Sequence, residues 1–452
     1  MTTPQIAEST PQWSSRFAFL MAAIGSAVGL GNLWRFPFQT GQNGGAAFVI
    51  VYLVCVVLIA YPVLLAELSI GRHKGLSAVR SASNLAVASG HSKRWGIVGW
   101  VGFLAATVVL PVYSMIAGQI MAYALMSFLG EFSSGVPEAP SLYSGNAYSI
   151  FWFTLFLGLT VGVVLRGLKG GIETAASVLM PVFFVMLLGL AGFAMTTGAA
   201  GEAIGYLFAP RFGDLTPDVV LAAMGQALFS LGVGAAIMIT YGSFLPREEN
   251  IGSSGIVIAS ADTLVALVAG LMIFPIVFAF SLDPAAGMGL IFDALPAVFA
   301  EMPMGRFIGG LFFFLAFIAA LTSSISLLMI SRTIGHDQFG LTPRASTLVF
   351  GAISWVAGVA TVYVDGLGDW MDFTVGSVLL PVGALTAALL AGWIAPRAIM
   401  REELANTTEP VFRFWRFMIR YAAPLTIIVI LILGVDAKFN WGLNKVLAGV
   451  PG

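Results

Sequence analysis

Apolar positions run along this chain in long stretches rather than alternating with polar ones. Ten stretches of 18 or more residues carry no Asp, Glu, Lys or Arg, at 17–34, 36–66, 95–130, 139–165, 174–201, 219–246, 263–282, 307–331, 345–364 and 373–396. An eleventh, 421–435, is shorter but strongly apolar. About 20 apolar residues cross a bilayer core of about 30 Å. The pattern therefore predicts an all-α polytopic protein of the lipid bilayer with eleven transmembrane helices.

Basic residues between these stretches predict the orientation. With the N-terminus in the cytoplasm, sixteen Lys and Arg fall on the cytoplasmic side and five on the other, namely Arg35, Arg211, Arg306, Lys438 and Lys445. Cytoplasmic loops carry the excess of basic residues, so this topology is favoured, and eleven spans leave the C-terminus outside. We expect an inner-membrane protein with a cytoplasmic tail (1–16), spans 1–5 (17–196), spans 6–10 (218–396), span 11 (416–435) and an extracytoplasmic tail (436–452).

Glycines interrupt the first and the sixth predicted spans. Span 1 is broken within 25–35 by three glycines, an Asn and an Arg, and span 6 is broken at Ser230–Gly234. In hydrocarbon, each freed backbone group costs several kcal/mol unless protein or ligand satisfies it. The breaks lie five spans apart, as in a transporter with a 5+5 inverted repeat and a binding site at the bilayer midplane. The alternative is that these small residues only allow close helix packing.

The composition argues against several other classes of protein. Charged residues make up 10% of the chain and the net charge is -1, which leaves no general surface for nucleic acid. Cys55 is the only cysteine, and the three histidines have no metal-ligand spacing. The chain has none of the Ser/Lys, Ser/His or paired-Asp arrangements of an intramembrane enzyme, so we expect no enzymatic activity. Polar residues cluster at midspan rather than along a continuous pore, which argues against an ion channel.

With these motifs in view, the chain resembles the neurotransmitter:sodium symporter family, bacterial branch. The resemblance runs from Trp13 to about Trp393 and is most specific at Gly25–Phe36 with Pro37, Asn43-Gly44-Gly45, Phe229–Gly234 and Leu321-Thr322-Ser323-Ser324. It implies that spans 1 and 6 are unwound at the middle of the membrane. It also implies import of a small molecule, an amino acid, by alternating access with two sodium ions. Another small zwitterion as substrate, or coupling to protons, remains the alternative.

The resemblance further implies two sodium sites. The first joins the two breaks to span 7 and uses Ala27, Asn32, Ser230 and Asp262. The second lies between spans 1 and 8 and uses Gly25, Val28, Ala319, Thr322 and Ser323. Sodium is a hard cation that prefers oxygen ligands, and a broken helix supplies carbonyl oxygens without added charge. For Thr322 and Ser323, ordinary helix-packing hydroxyls are the alternative.

By the same resemblance, the substrate would lie between spans 1, 3, 6 and 8, at Ala27, Gly29, Leu30, Gly31, Val109, Tyr113, Phe229, Ser230, Gly232, Ala235, Ser324 and Leu327. Monoamine carriers of the family have an aspartate where this chain has Gly29. Because a carboxylate there would repel an amino acid, Gly29 favours an amino-acid substrate. Ala235 stands where relatives have an aromatic residue, which leaves room for an apolar side chain unless a neighbour such as Met238 fills it.

Asp262 replaces chloride in this interpretation. Chloride-dependent relatives bind the anion near Tyr52, Gln226, Ser230 and a serine one turn beyond Asp262, where this chain has Ala266. A charged Asp at midspan costs several kcal/mol unless it is paired, and an adjacent sodium would supply the pairing. We therefore expect chloride-independent transport. The alternative is a structural Asp bonded to neighbouring hydroxyls.

Gates on both sides are also implied, formed by Arg35, Asp372, Trp13 and Asp337. The first two belong to the outer side, and the last two to the inner side. Thr10 replaces the arginine that usually pairs with the inner aspartate. Gly171 and Pro181 form the Gly-x9-Pro pattern with which several relatives unwind span 5, and a simple proline kink is the alternative.

Overall fold

The computed structural model describes residues 11–74, 77–132, 145–285, 289–439 and 442. Throughout these residues the regular structure is helical. In chain order the principal helices are α1 Arg16–Ala27, α2 Gly31–Gln42, α3 Ala46–His73, α4 Ala78–Ala88, α5 Lys93–Leu129, α6 Asn146–Leu165, α7 Leu168–Ala194, α8 Ala200–Phe208, α9 Pro217–Ser230, α10 Ile237–Gly242, α11 Ile251–Ala279, α12 Leu295–Glu301, α13 Gly305–Phe339, α14 Pro343–Tyr363, α15 Leu367–Ile394, α16 Arg397–Glu403 and α17 Glu409–Phe439.

The long helices coincide with predicted spans 2–5 and 7–11. Within the described residues, nine helices are long and apolar enough to cross a membrane, and α1 with α2, bent by 50°, makes a tenth candidate. Predicted span 6 corresponds to α9 and α10, which are each too short to cross alone. The prediction of an all-α polytopic protein is confirmed, whereas the count of eleven spans and the inverted repeat stay predictions.

Parts of both predicted tails lie outside the described residues. These parts are 1–10, which include Thr10, and 440–441 with 443–452 at the other end. The predicted loops between spans 3 and 4 and between spans 7 and 8 are described only in part, because 133–144 and 286–288 are also outside.

The break between α1 and α2 follows from one change of backbone conformation. Val28 adopts an extended conformation, with φ -70° and ψ 110°, so the helix ends at Ala27. The chain resumes as a π-helical turn over Gly31–Arg35. The amide of Gly29 donates to Asn32 Oδ1 at 3.0 Å, so a side chain satisfies one freed backbone donor.

The break between α9 and α10 depends on three residues with positive φ. These are Gly232 (φ 61°), Gly234 (φ 94°) and Ala236 (φ 59°). The two glycines adopt positive φ at little cost because they have no Cβ. A Cβ on Gly234 would lie 2.1 Å from the carbonyl oxygen of Leu380 in α15. The Gly234 amide donates to Glu67 Oε1 of α3 at 2.6 Å. Helices α3 and α15 therefore hold this break in place.

Helices α5 and α13 form the centre of the bundle. They pack against each other along much of their length, and α13 is the most buried of the candidate spans. Small residues permit the close approach, since a Cβ on Gly310 of α13 would lie 2.5 Å from the Phe128 ring of α5. Helix α1 packs against α7, α11 and α13. The first break is thus placed beside the central pair of helices.

A buried carboxylate joins three segments on the predicted cytoplasmic side. Glu403 ends α16, where its Oε2 accepts a hydrogen bond from Arg72 Nε at 2.9 Å and its Oε1 accepts one from Arg247 Nη1 at 2.8 Å. His73 Nδ1 lies 3.3 Å from the same Oε1. Burial alone raises the pKa of Glu403, but the hydrogen bonds from His73 and Arg72 and the charges of both arginines outweigh it and hold the pKa below its usual range. The ionised carboxylate therefore stabilises the fold.

Replacing this carboxylate should make stability depend less on pH. Glu403→Gln leaves the buried Arg72 and the exposed Arg247 without their counter-charge, so we expect a loss of about 3 kcal/mol of stability at pH 7, mainly through Arg72. Because the folded pKa is depressed, the contribution is complete above the unfolded value of about 4.3 and disappears as the pH falls through the folded pKa. Thermal unfolding in detergent between pH 4 and pH 8 should show that the stability of the wild type falls toward that of the variant as the pH is lowered. Glu402→Gln, at the exposed neighbouring residue, is the control, and equal effects of the two variants would contradict the prediction.

Candidate functional site

The two helix breaks meet at a group of buried polar side chains. Asn32 Nδ2 donates to Asp262 Oδ1 at 2.7 Å, to the Asp262 carbonyl at 3.0 Å and to Ser230 Oγ at 3.1 Å. Ser230 Oγ donates to Asp262 Oδ2 at 2.7 Å. All three residues are buried. The structure thus brings together three of the four residues predicted for the first sodium site, and Ala27, the fourth, ends α1 in the same break.

The residues predicted around a chloride position lie beside this group. Tyr52 donates through its hydroxyl to Ser230 Oγ at 3.4 Å. Gln226 Nε2 donates to the Gly31 carbonyl at 3.2 Å, and its Oε1 is buried with no hydrogen-bond partner in the described residues. Ala266, which replaces the serine of chloride-dependent relatives, is fully buried. Asp262 is therefore the charged group among these side chains.

A second group of oxygen atoms converges between α1 and α13. Ser323 Oγ lies 3.5 Å from the Gly25 carbonyl, 3.4 Å from the Val28 carbonyl and 3.1 Å from the Ala319 carbonyl. The Ser26 carbonyl is 3.3 Å away from the same atom. A hydroxyl has one hydrogen to donate, so Ser323 alone cannot satisfy all four carbonyl oxygens at once. Such a convergence of hard oxygen ligands suits a monovalent cation.

Thr322 completes the second group from the same turn of α13. Its Oγ1 donates to the Ala319 carbonyl at 3.1 Å and to the Ile318 carbonyl at 3.2 Å. A Cβ on Gly25 would lie 3.1 Å from Thr322 Cβ and 3.0 Å from Met180 Sδ. All five residues predicted for the second sodium site are therefore neighbours, with Met180 of α7 packed against them.

Backbone amides and a tyrosine hydroxyl define the predicted substrate position. A Cβ on Gly29 would lie 2.9 Å from Ser323 Oγ and 3.1 Å from the Tyr113 hydroxyl oxygen. That hydroxyl is buried and faces Ser323 and the Leu30 backbone, without a hydrogen bond of normal geometry to any described residue. A Cβ on Gly31 would lie 3.1 Å from the Phe229 ring. Side chains larger than hydrogen at these two glycines would therefore collide with the proposed site.

The remaining predicted substrate residues lie on α5, on α13 and in the break of span 6. Val109 lies one helical turn before Tyr113, and Leu327 lies one turn after Ser323. The Ser324 hydroxyl donates to the Leu321 carbonyl and lies 2.8 Å from Thr160 Oγ1, so it is engaged within the protein. Gly232 and Ala235 belong to the break in span 6, where a Cβ on Gly102 of α5 would lie 2.9 Å from the Ala235 carbonyl.

On the predicted outer side, the Arg35 guanidinium lies over the ring of Phe229, which is one of the predicted substrate residues. Its guanidinium carbon lies 4.0 Å from the centre of the Phe229 ring. Asp372 of α15 is near enough to act on Arg35 electrostatically, but no direct ion pair joins them in the described residues. Both Arg35 and Phe229 line a cavity of about 290 Å³ that reaches α15 and α17. The outer pair is thus apart in this structure.

On the predicted inner side, Trp13 fills an aromatic pocket. Its Nε1 donates to the Tyr241 carbonyl at 3.0 Å, and its amide donates to the Phe244 carbonyl at 3.2 Å. Asp337 forms an ion pair with Arg80 of α4, with Nε and Oδ1 2.9 Å apart, and accepts a hydrogen bond from Ser77. An arginine of α4 thus occupies the position expected of an N-terminal arginine.

One inner contact was missed by the sequence analysis. The Ser14 amide donates to Glu173 Oε1 at 2.9 Å, and the Ser14 hydroxyl donates to Glu173 Oε2 at 2.6 Å. Glu173 is buried at the end of the π-helical turn Leu168–Glu173, two residues after Gly171. Helix α7 continues unbroken from that turn through Pro181 to Ala194. The available signal was Glu173 itself, a lone carboxylate directly before a charge-free stretch. It was interpreted only as the boundary of a span.

Comparison of the sequence with known proteins also indicates a sodium-dependent transporter. The sodium:neurotransmitter symporter family matches residues 10–136 and 146–445. An uncharacterized sodium-dependent transporter of Bacillus subtilis, YhdH, is 36% identical over 93% of this chain and 96% of its own length. A Drosophila grimshawi sodium-dependent nutrient amino acid transporter is 25% identical over 93% of this chain and 76% of its own.

A solved structure is similar across almost the whole chain. The crystal structure of MhsT in complex with L-phenylalanine has a TM-score of 0.85 and 35% sequence identity to this protein. The match covers 94% of this chain and 99% of the MhsT chain. This chain therefore belongs to the sodium:neurotransmitter symporter family, and it is a sodium-dependent membrane transporter rather than an enzyme.

Proposed function

We propose that this protein is a symporter that imports a neutral amino acid with an apolar side chain, coupled to two sodium ions. The observation that carries the proposal is the convergence of four carbonyl oxygens within 3.5 Å of Ser323 Oγ. The Gly25 and Ser26 carbonyls belong to the last turn of α1, where a helix leaves carbonyl oxygens without amide partners. At the depth of the hydrocarbon core an unsatisfied acceptor costs several kcal/mol, so a bound cation would stabilise this cluster. One sodium ion would lie there and would join α1 to α13.

The other sodium ion would lie between Asn32, Ser230 and Asp262. A half-turn of the Asn32 amide would exchange its nitrogen and oxygen and present the oxygen to the cation. Asp262 would neutralise the charge of the ion, and the α-carboxylate of the substrate would complete the coordination together with the Ala27 carbonyl. One ion would join span 1 to span 8, and the other would join span 1 to spans 6 and 7. Binding would therefore favour one arrangement of these spans over its alternatives.

The substrate would lie between the two breaks. Its carboxylate would accept hydrogen bonds from the Leu30 and Gly31 amides and from the Tyr113 hydroxyl, which has no other partner of normal geometry in the described residues. Its ammonium group would meet carbonyl oxygens of the breaks, and its side chain would extend between Val109, Ala235 and Leu327. The related MhsT binds L-phenylalanine, which supports an apolar side chain of similar size.

Eleven spans arranged as a 5+5 inverted repeat would provide alternating access. Spans 1, 2, 6 and 7 would rock against the others around the fixed site. We place the protein in the inner membrane with the N-terminus in the cytoplasm and the C-terminus outside, which puts Trp13 and Glu173 on the cytoplasmic side. Uptake would then run inward, driven by about 2.3 kcal/mol per sodium ion for each 100 mV in addition to the concentration gradient.

Sodium-driven currents in proteoliposomes should test the proposal. We expect apolar amino acids, L-phenylalanine among them, to give currents that disappear when choline replaces sodium, while glycine betaine and amines give none. Ser323→Ala should raise the half-saturating sodium concentration by about tenfold, because a ligand worth about 1.4 kcal/mol is lost. Thr333→Ala, on the same helix but away from the site, should leave it unchanged. Uptake that persists with protons as the coupling ion, or a panel without any amino-acid signal, would overturn the proposal.

Chloride should be dispensable for the wild type. Because Asp262 already supplies a fixed negative charge beside the proposed sodium ion, replacing chloride by gluconate should leave uptake within about twofold of its original rate, well under a 1.4 kcal/mol effect. Asp262→Asn should lose most sodium-dependent uptake. The wild-type measurement is decisive even if the variant misfolds, since a chloride requirement would show that Asp262 does not take that role.

The contact between Ser14 and Glu173 should keep the inner side closed. Hydrogen bonds to a charged group contribute about 1.5–3 kcal/mol each, so Glu173→Gln should shift the equilibrium toward an open inner side by tenfold or more. A Met180→Cys reporter in a Cys55→Ala background, probed from the cytoplasmic side with an impermeant thiol reagent, would measure it. We expect faster labelling with Glu173→Gln but not with Glu202→Gln, at an exposed carboxylate. Unchanged labelling would remove Glu173 from the inner closure.

A further inference from the structure

Five arginines gather where α15 leads through α16 into α17. They are Arg397, Arg401, Arg413, Arg416 and Arg420. The last three are spaced i, i+3 and i+7, so they form a stripe along one face of α17. Arg420 and Arg397 both lie close enough to Arg416 for their like charges to act on it. Like charges at this spacing destabilise a helix unless an anion lies among them.

The described carboxylates supply counter-charge to only part of this group. Glu409 is shared by Arg397, by Arg401 at 3.6 Å and by Arg413 at 3.8 Å. Glu403 is occupied by Arg72 and Arg247 instead.

Arg416 and Arg420 lack such a carboxylate. Neither forms an ion pair within the described residues, and Arg416 Nη1 and Arg420 Nε are buried without a hydrogen-bond partner there. A buried donor on a charged group costs free energy when it is left without a hydrogen bond. The two guanidinium groups are therefore suited to an anionic ligand that the described part of the chain does not supply.

The surrounding aromatic residues indicate the depth at which that anion would bind. The Arg420 guanidinium carbon lies 4.5 Å from the Trp393 ring centre and 5.8 Å from that of Tyr421. Trp393 Nε1 donates to the Arg420 carbonyl at 2.8 Å. Trp393, Tyr421 and Phe417 are all about half exposed on the outside of the bundle. Trp and Tyr with this exposure are typical of the membrane–water interface, where lipid headgroups lie.

We propose that Arg416 and Arg420 bind the phosphate of an anionic phospholipid from the predicted cytoplasmic leaflet. The headgroup would accept hydrogen bonds from the partly exposed guanidinium groups of Arg416 and Arg420, while Arg397 and Arg413 add positive charge nearby. The acyl chains would lie against the exposed rings of Phe417 and Tyr421. Basic pockets between membrane helices on this side bind anionic headgroups by the same chemistry. Such a lipid would relieve the repulsion among the three neighbouring arginines and hold the start of α17 against α15.

Lipid retention by the intact purified protein is the direct test. Native mass spectrometry after exchange into micelles with dioleoylphosphatidylglycerol or dioleoylphosphatidylcholine should show retention of the anionic lipid alone. Arg416→Gln with Arg420→Gln should weaken its binding about thirtyfold, from about fivefold per arginine. Thermal unfolding with each lipid provides a second readout, and only the anionic lipid should raise the Tm of the wild type.

The matched control removes two other arginines from the same predicted side. Arg166 and Arg344 are exposed, and their double Gln variant should retain phosphatidylglycerol as the wild type does. Equal loss in both double variants would overturn the proposal in favour of a general charge effect. Stabilisation by inorganic phosphate or glycerol 3-phosphate equal to that by the lipid would show a soluble anion as the ligand and overturn it too. The comparison of two lipids on the wild type remains decisive if the variant does not fold.

Discussion

Backbone amides and carbonyls find no water inside a bilayer, and this protein frees several of them in two of its helices. The break after Ala27 and the break after Ser230 face each other, so the groups that one releases lie beside side chains from the other. Asn32 satisfies the Gly29 amide on one side and binds Asp262 on the other. Glu67 satisfies the Gly234 amide. Four carbonyl oxygens converge around Ser323 Oγ, and the second sodium site that we propose is built on them.

The predicted inner side of the bundle is closed by contacts among five different segments. Trp13 occupies an aromatic pocket on α10 and the turn after it, while Ser14 binds Glu173 of α7. Asp337 is held by Arg80 of α4. The carboxylate at residue 173 adjoins Gly171, so the N-terminal segment and the start of span 5 are attached at one point. Any movement of that part of span 5 therefore acts on the segment that covers the site.

Much of this architecture could be predicted from the sequence, because a membrane imposes simple rules on helix length and charge. The positions of the long helices and both glycine breaks followed from charge-free stretches and from the placement of glycines. The clustering of Asn32, Ser230 and Asp262 was implied by the family resemblance. The partners of the inner carboxylates followed from neither, since Arg80 and Asp337 are 257 residues apart and only the packing of α4 on α13 joins them. Ser14 and Glu173 were missed for a similar reason, because a single serine carries no pattern. The π-helical turns also left no signal in the periodicity that we used.

The contact of Gly234 with α15 has a mechanical consequence. A Cβ on Gly383 would lie 2.0 Å from the Gly234 carbonyl oxygen, just as one on Gly234 would lie 2.1 Å from that of Leu380. Backbone touches backbone here, without side chains between the two segments. Helices whose side chains interdigitate are restricted to a few crossing angles, because ridges must fit grooves. A surface without ridges does not impose such angles, so the glycine contact sets the distance between the broken segment and α15 and leaves their crossing angle to be set by contacts elsewhere.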